Sequence, residues 1–313
     1  MTARFLRGSL ARLIEDSHSV RRGVVAVLAA YTMWGVFPLY FRLLRAVPPF
    51  ETLLHRLLWS AVFLSGVLAV RRSFAGMAAL KRASTWLNLV AAALLLSANW
   101  FVYIWAISND RVVDASLGYY MSPLLNVALG ALFFRESLRR LQWSAVAISA
   151  LGVLFLTFGY GELPWVGLSL ALSWGGYGVL RKISALPALE SVTLETVVML
   201  PISAAYLGVL LARGDNHLVI GQDLVPLLLV VAGPVTAAPL LLFGSGVRRV
   251  PLSVVGVLQY IQPTLQLAIG VVVFGEAFPA DKAIGYACIW FALLLFSGEG
   301  LWVLRRRRAP GAP

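Results

Sequence analysis

The chain has 313 residues, 60% of them hydrophobic and 13% charged, and its mean hydropathy is +0.83. A water-soluble domain carries charge on roughly a quarter of its residues, so this composition excludes a soluble fold and identifies an integral membrane protein. The formal net charge of +12 would suit a nucleic-acid partner, but membrane topology accounts for it below and no nucleic-acid partner is expected.

Residues 1–22 contain Arg4, Arg7 and Arg12 but neither a continuous apolar core nor a small-residue cleavage site, so they do not read as a removable signal peptide. Phe5, Leu6, Leu10, Leu13 and Ile14 fall near one helical face opposite the arginines. This segment is either a helix lying on the membrane surface or a plain extension.

A spanning helix needs about 20 mostly apolar residues. That length predicts ten spans, near 23–43, 50–70, 86–107, 115–134, 141–159, 163–181, 190–212, 224–247, 252–274 and 283–304. The fold class is therefore all-α. Charged breaks such as Arg71-Arg72, Asp110-Arg111 and Arg135 to Arg140 separate the spans, and no interval holds a soluble domain. Most of the 26 basic residues fall on alternate sides, in 4–22, 71–82, 135–140, 181–182, 248–249 and 305–308. This bias predicts cytoplasmic termini, with 305–313 as a basic tail. Cys288 is the single cysteine, which excludes an intrachain disulfide and a cysteine-based metal site.

The spans repeat at an offset of 140 residues: Trp34-Gly35 recurs as Trp174-Gly175, Arg42 as Lys182, Pro123 as Pro263, Gly130 as Gly270 and Glu136 as Glu276. Five spans per half is an odd number, so the second half enters the membrane from the opposite side. The expectation is an inverted repeat, 23–160 followed by 161–304. In span 4, Ser116, Tyr119, Pro123, Asn126 and Gly130 share one helical face; in span 9, Gly256, Gln259, Pro263, Gln266 and Gly270 do the same. Such a stripe of small and polar residues is either a close-packing seam or a cavity lining. Amides at membrane depth need partners from other helices, water or a ligand.

Several motifs resemble the RarD-type permeases of the EamA branch of the drug/metabolite transporter superfamily. They are the span-1 Trp-Gly pair, E-x-L-x-H-R at Glu51 to Arg56, N-W at Asn99-Trp100, A-S-L-G-Y at Ala115 to Tyr119 followed by Pro123-Leu124, and Q-Y-x-x-P at Gln259 to Pro263. The resemblance runs from about Val24 to Trp302. It implies two inverted five-helix EamA repeats in a bacterial inner membrane and a central cavity opening alternately to either side. Arg135 stands where a glycine commonly precedes the glutamate, and Gln262 where a glycine is common beside Pro263.

Span 2 carries a polar face: Glu51, Thr52, His55, Arg56 and Trp59 share one side, and leucines the other. Placing an ionised side chain mid-span costs about 2.5 to 3.5 kcal/mol, which several leucines can offset. Either Glu51 and Arg56 reach back to the headgroups, or His55 and Arg56 face a hydrated cavity. In the second reading Arg56 binds a substrate carboxylate or phosphate-like anion. Glu51 supports His55 at i+4, and His55 or Glu195, its counterpart at offset 140, couples transport to protons. The alternative is that Glu51, His55 and Arg56 only neutralise one another and pin span 2.

The expected cavity residues are Arg56, His55, Asn99, Trp100, Tyr119, Asn126, Tyr177, Gln259, Tyr260 and Gln266; those expected in coupling or gating are Glu51, His55, Glu195, Pro123 and Pro263. Tyr103, Trp105 and Tyr120 add aromatic surface. No Walker A sequence, H-E-x-x-H motif or G-x-S-x-G elbow occurs, so no enzyme, cofactor or metal is expected. Asp110 and Asp114 read as solvated loop charges. Three function classes follow: a secondary transporter, preferably exporting small amphipathic or zwitterionic metabolites or drugs; a passive channel; and a membrane-embedded enzyme or non-transporting partner protein. The paired proline stripes favour the first.

Overall fold

The computed structural model describes residues 2–308 except 73, 136–137, 159–160, 221–223 and 251, with the side chains of 2–18, 75, 220, 252–253 and 300–308 also left undescribed. Glu136 lies outside the described residues. Every extended element is helical, and nine stretches are long and apolar enough to cross a membrane among the described residues.

The first helix, α1, runs unbroken from Thr2 to Arg42, so the N-terminal segment continues into the first span along one helical backbone. Then follow α2 (Pro49–Arg71), a 3₁₀ turn (Ala75–Lys81), α3 (Ala83–Ser108), α4 (Val112–Phe134), α5 (Arg140–Phe158) and α6 (Trp165–Ile183). The sixth expected span is α6. Its 19 residues include Ser169, Ser173, two adjacent glycines, Arg181 and Lys182, and it is not among the nine by hydropathy. It packs instead along α3 and α4.

The expected seventh span is two helices, α7 (Ala188–Val198) and α8 (Leu200–Arg213), jointed at Met199. Pro201 near the start of α8 lacks the N–H that would continue the ladder. After α9 (His217–Ile220) and α10 (Val225–Gly246), the ninth span is also interrupted: α11 (Leu252–Leu258) stops, α12 (Ile261–Ala268) begins, and a π-helical turn covers Ile269–Val273. Pro263 explains the stop, because its ring clashes with the carbonyl of Gln259, four residues back. Pro123 sits inside an unbroken α4. The chain closes with α13 (Ala280–Arg308).

Arg135, the residue standing where a glycine is common, ends α4 with φ 54°, and Gly275 at offset 140 has φ 70°. Both positions demand the left-handed region, where glycine carries no Cβ penalty. Arg135 therefore occupies a conformation that its partner position fills with the better-suited residue.

The helices pack in recognisable correspondences. α1 lies on α10 and α3 on α6; α4 lies on α6 and α12 on α1; α5 lies on α13, and α2 on α7 and α8. α10 comes close to α2 where a Cβ on Gly233 would collide with the Trp59 carbonyl and the Ser60 nitrogen. That contact sets Thr236, three residues on, against the polar face of α2.

Candidate functional site

Arg56 is the centre of the site. It is only 3% exposed, and its Nε donates to Thr236 Oγ1 at 2.8 Å. The guanidinium lies 3.9 Å above the Trp100 ring and 5.2 Å from that of Phe41, with Tyr119, Tyr103 and Tyr40 in its neighbourhood. Among the described residues no carboxylate pairs with it. Its Nη1 has no hydrogen-bond acceptor. The ring faces of Trp100 and Phe41 and the Thr236 hydroxyl thus carry the burden of a buried cation, and stacking on a desolvated tryptophan is worth about 2 kcal/mol. Tyr40 is itself anchored by donating its hydroxyl to the Leu228 carbonyl of α10.

Gln266 of α12 is fully buried. Its Nε2 donates to the Trp34 carbonyl and to the Tyr103 hydroxyl, each at 3.1 Å, while its Oε1 has no donor. Tyr103 therefore stands between the two groups and packs edge-on against Tyr119, with ring centroids 5.8 Å apart. Arg56 thus keeps one unmatched donor and Gln266 one unmatched acceptor, both buried. Native interiors rarely leave such groups unpaired unless water or a ligand completes them.

One turn before Arg56, the expected Glu51–His55 pair is present but secondary. His55 Nε2 lies 3.8 Å from Glu51 Oε1, and both His55 ring nitrogens lack hydrogen-bond partners. Glu51 spends its carboxylate on His217 instead, accepting the backbone N–H at 2.7 Å and facing the ring Nδ1 at 2.8 Å. His217 was not among the expected site residues. Its only signal in the sequence is that it is one of three histidines.

Glu195 forms a separate cluster. It is 1% exposed, accepts from Tyr177 at 3.0 Å and Ser191 at 2.7 Å, and lies 3.7 Å from Arg181. Among the described residues no hydrogen bond joins it to His55. Asn99 is committed to α6, donating to the Leu170 carbonyl and Ser173 hydroxyl at 3.0 Å each. Asn126 is exposed and borders Gly175 and Gly178 of α6. Gln259 and Tyr260 sit half-buried at the helix break, Pro263 is buried and Pro123 partly so. The structure thus brings Arg56, Trp100, Tyr119 and Gln266 together, pairs Tyr177 with Glu195 elsewhere, and leaves Asn126, Gln259 and Tyr260 outside both clusters. Thr236, Tyr40 and Phe41 join the first cluster unannounced by any motif.

The end of the bundle bearing Asp110 is cross-linked by ion pairs. Arg42 pairs with Asp110, Lys282 with Asp114 at 2.6 Å and Arg111 with Asp114 at 3.7 Å. Asp114 is thus paired and mostly buried, not a solvated loop charge. Glu276 accepts the Val112 and Val113 N–H groups at the start of α4, each at 2.7 Å. Burial raises the Glu276 carboxyl above the usual carboxylate range, against the pull of those two amides. Deeper in the bundle α4 and α12 meet through the Tyr120–Thr264 hydroxyl pair at 2.9 Å. Toward the other end nothing lies within 4 Å of where a Cβ on Gly256 would stand. Two cavities lie away from Arg56: a void of about 10 Å³ beside Asp114 and Lys282, and a cleft of about 410 Å³ at Arg21 and Arg22.

Comparison with known proteins agrees with this architecture. Residues 21–158 and 164–298 each match the EamA-like transporter family. The chain is 45% identical to the uncharacterized transporter YojE of Bacillus subtilis over 88% of its own length and 94% of that protein. It is 38% identical to protein RarD of Escherichia coli K12, covering 93% and 99% of the two chains. Identity to the chloramphenicol-sensitive protein RarD of Pseudomonas aeruginosa is 33%, over 93% and 98%. One crystal structure shares the fold, with a TM-score of 0.58 at 20% identity, covering 92% of this chain and 99% of the other. The protein is a multi-pass membrane protein that belongs to the EamA-like transporter family.

Proposed function

We propose that the protein is a secondary active transporter that exports small amphipathic or zwitterionic metabolites, amino-acid-like in charge, or drugs, by alternating access. Arg56 carries this reading: it is a buried cation without a carboxylate partner and with an unmatched nitrogen. A substrate anion completes Arg56, and the unmatched Gln266 carbonyl accepts from a neighbouring donor on the same molecule. The aromatic rings of Trp100, Tyr103 and Tyr119 supply the apolar wall.

In this reading the chain forms two inverted five-helix repeats, 23–160 and 161–304, with α6 as the tenth span. The packing correspondences support it, since exchanging the halves maps α1 on α10 to α6 on α3, and α4 on α6 to α12 on α1. Both termini are cytoplasmic in a bacterial inner membrane. The paired Asp110 end is then the closed extracellular gate, and the exposed Asn126 faces the open cytoplasmic approach. Proton coupling falls to His55, with Glu51 and His217, or to Glu195.

The test is transport by the full chain in proteoliposomes against a panel of carboxylate-bearing metabolites, with and without a proton gradient. The expected result is gradient-dependent flux abolished in Arg56→Gln. Flux unchanged in Arg56→Gln would refute the assignment.

A further inference from the structure

The cleft of about 410 Å³ lies apart from the transport site. Val25, Ala26 and Ala29 of α1 and Leu242 of α10 line it, with Arg21 and Arg22 at its mouth. Its size falls within the range of small-molecule sites. Two further arginines stand close by. A Cβ on Gly23 would lie 2.8 Å from that of Arg249, so Arg248 and Arg249 stand at the same end of the helices as Arg21 and Arg22, beside the residues that line the cleft. All four are exposed, and none is ion-paired among the described residues.

The geometry points to a binding site for an anionic phospholipid, its phosphate held by Arg21, Arg22, Arg248 and Arg249 and one acyl chain lying in the α1–α10 cleft. Charge complementarity selects the occupant, because a basic cluster at the end of membrane helices attracts anionic headgroups. The small side chains of Ala26 and Ala29 leave the groove that an acyl chain fills, and the exposed Val25 extends its apolar wall. Nη atoms suit phosphate oxygens through paired, planar hydrogen bonds. A metabolite without a chain would leave the apolar part of the cleft empty, and a zwitterionic lipid would leave the arginines unneutralised. The occupant therefore needs both parts.

The test uses the purified full chain in detergent, titrated separately with phosphatidylglycerol, with phosphatidylcholine of the same acyl chains, and with inorganic phosphate. Native mass spectrometry counts bound lipid, and thermal unfolding reads stabilisation. Phosphatidylglycerol is expected to bind and raise Tm, while the other two leave it unchanged. The double substitution Arg21→Gln with Arg22→Gln should weaken phosphatidylglycerol binding about 30-fold, and Ala29→Phe should weaken it by filling the groove with no change of charge. If the arginine variant does not insert, Arg248→Gln with Arg249→Gln and Ala29→Phe decide the matter. Equal binding of phosphatidylcholine, equal stabilisation by phosphate alone, or wild-type lipid retention in Ala29→Phe would overturn the site. None of these readings depends on transport, so the transport proposal stands or falls separately.

Discussion

Glu51, in the first turn of α2, accepts the backbone N–H of His217 at 2.7 Å, across 166 residues of chain. Glu190, in the first turn of α7, does the same for Gly76 at 2.7 Å. Each carboxylate thus holds the loop that follows the other broken or polar span. Charge-assisted hydrogen bonds of this kind contribute about 1.5 to 3 kcal/mol each. Glu51→Ala, which removes two such contacts, should destabilise the protein by about 3 kcal/mol or more, and Glu51→Gln by less. Thermal unfolding measures the loss, and faster amide exchange confined to 214–220 identifies its place.

Arg56→Lys separates charge from stacking. Lysine keeps the cation but not the planar guanidinium above Trp100, so substrate affinity should fall roughly 10-fold or more while folding is retained. Trp100→Leu should produce a similar loss, and the double variant should lose less than the sum because both act on one contact. Transport kinetics over a substrate concentration series would show it.

Gly233→Val tests the approach of α10 to α2. A branched side chain would meet the Trp59–Ser60 backbone and force the helices apart, at about 1 to 3 kcal/mol. The Arg56–Thr236 hydrogen bond would open with them. The expected signature is a lower Tm together with a transport defect per folded molecule, whereas Gly208→Ala, with nothing within 4 Å, should change neither.

Glu276 supplies a pH dependence with a definite sign. Its folded carboxyl is raised by burial, so the folded chain holds that proton more tightly than the unfolded one. The contribution is full below the ordinary glutamate range and is lost as pH rises through the folded value. Thermal unfolding from pH 4 to 8 should therefore show a decline in the wild type that Glu276→Gln lacks. Parallel curves would contradict it.

Orientation has a direct check in a Cys288→Ala background. A cysteine at position 75 or 309 should resist a membrane-impermeant reagent in intact cells, and one replacing Asp110 should react. External labelling at 75 or 309 would invert the topology.

The sequence made some of this legible, and its failures have physical causes. Composition and span length gave the helical membrane fold, and the polar face of α2 pointed to Arg56 because ionised groups at that depth must be accounted for. Gln266 stood out because a neutral amide at that depth needs hydrogen-bond partners. The Glu51/Glu190 correspondence stayed hidden because these residues are 139 positions apart, one short of the repeat that aligns the rest, so an ungapped comparison pairs Glu51 with Ser191. His217 and Thr236 were invisible because only folding brings them to α2. Asn126 shares a helical face with Tyr119, yet seven residues along α4 carry it about 10 Å away, out of the buried cluster.

The break at Gln259–Tyr260 leaves α4 and the α11–α12 pair mechanically unlike. Tyr260 N–H reaches back three residues to Val257 at 3.3 Å, and Thr264 resumes four-residue spacing to Tyr260 at 3.2 Å, so the ladder is tightened and interrupted there. One proline helix is a stiff rod and its counterpart a jointed arm. A rod transmits a tilt from end to end, whereas a jointed arm lets α11 swing while α12 stays anchored through Gln266 and the Tyr120–Thr264 pair. Under the proposed alternating access, the two half-cycles need not mirror each other, even where the sequence repeats.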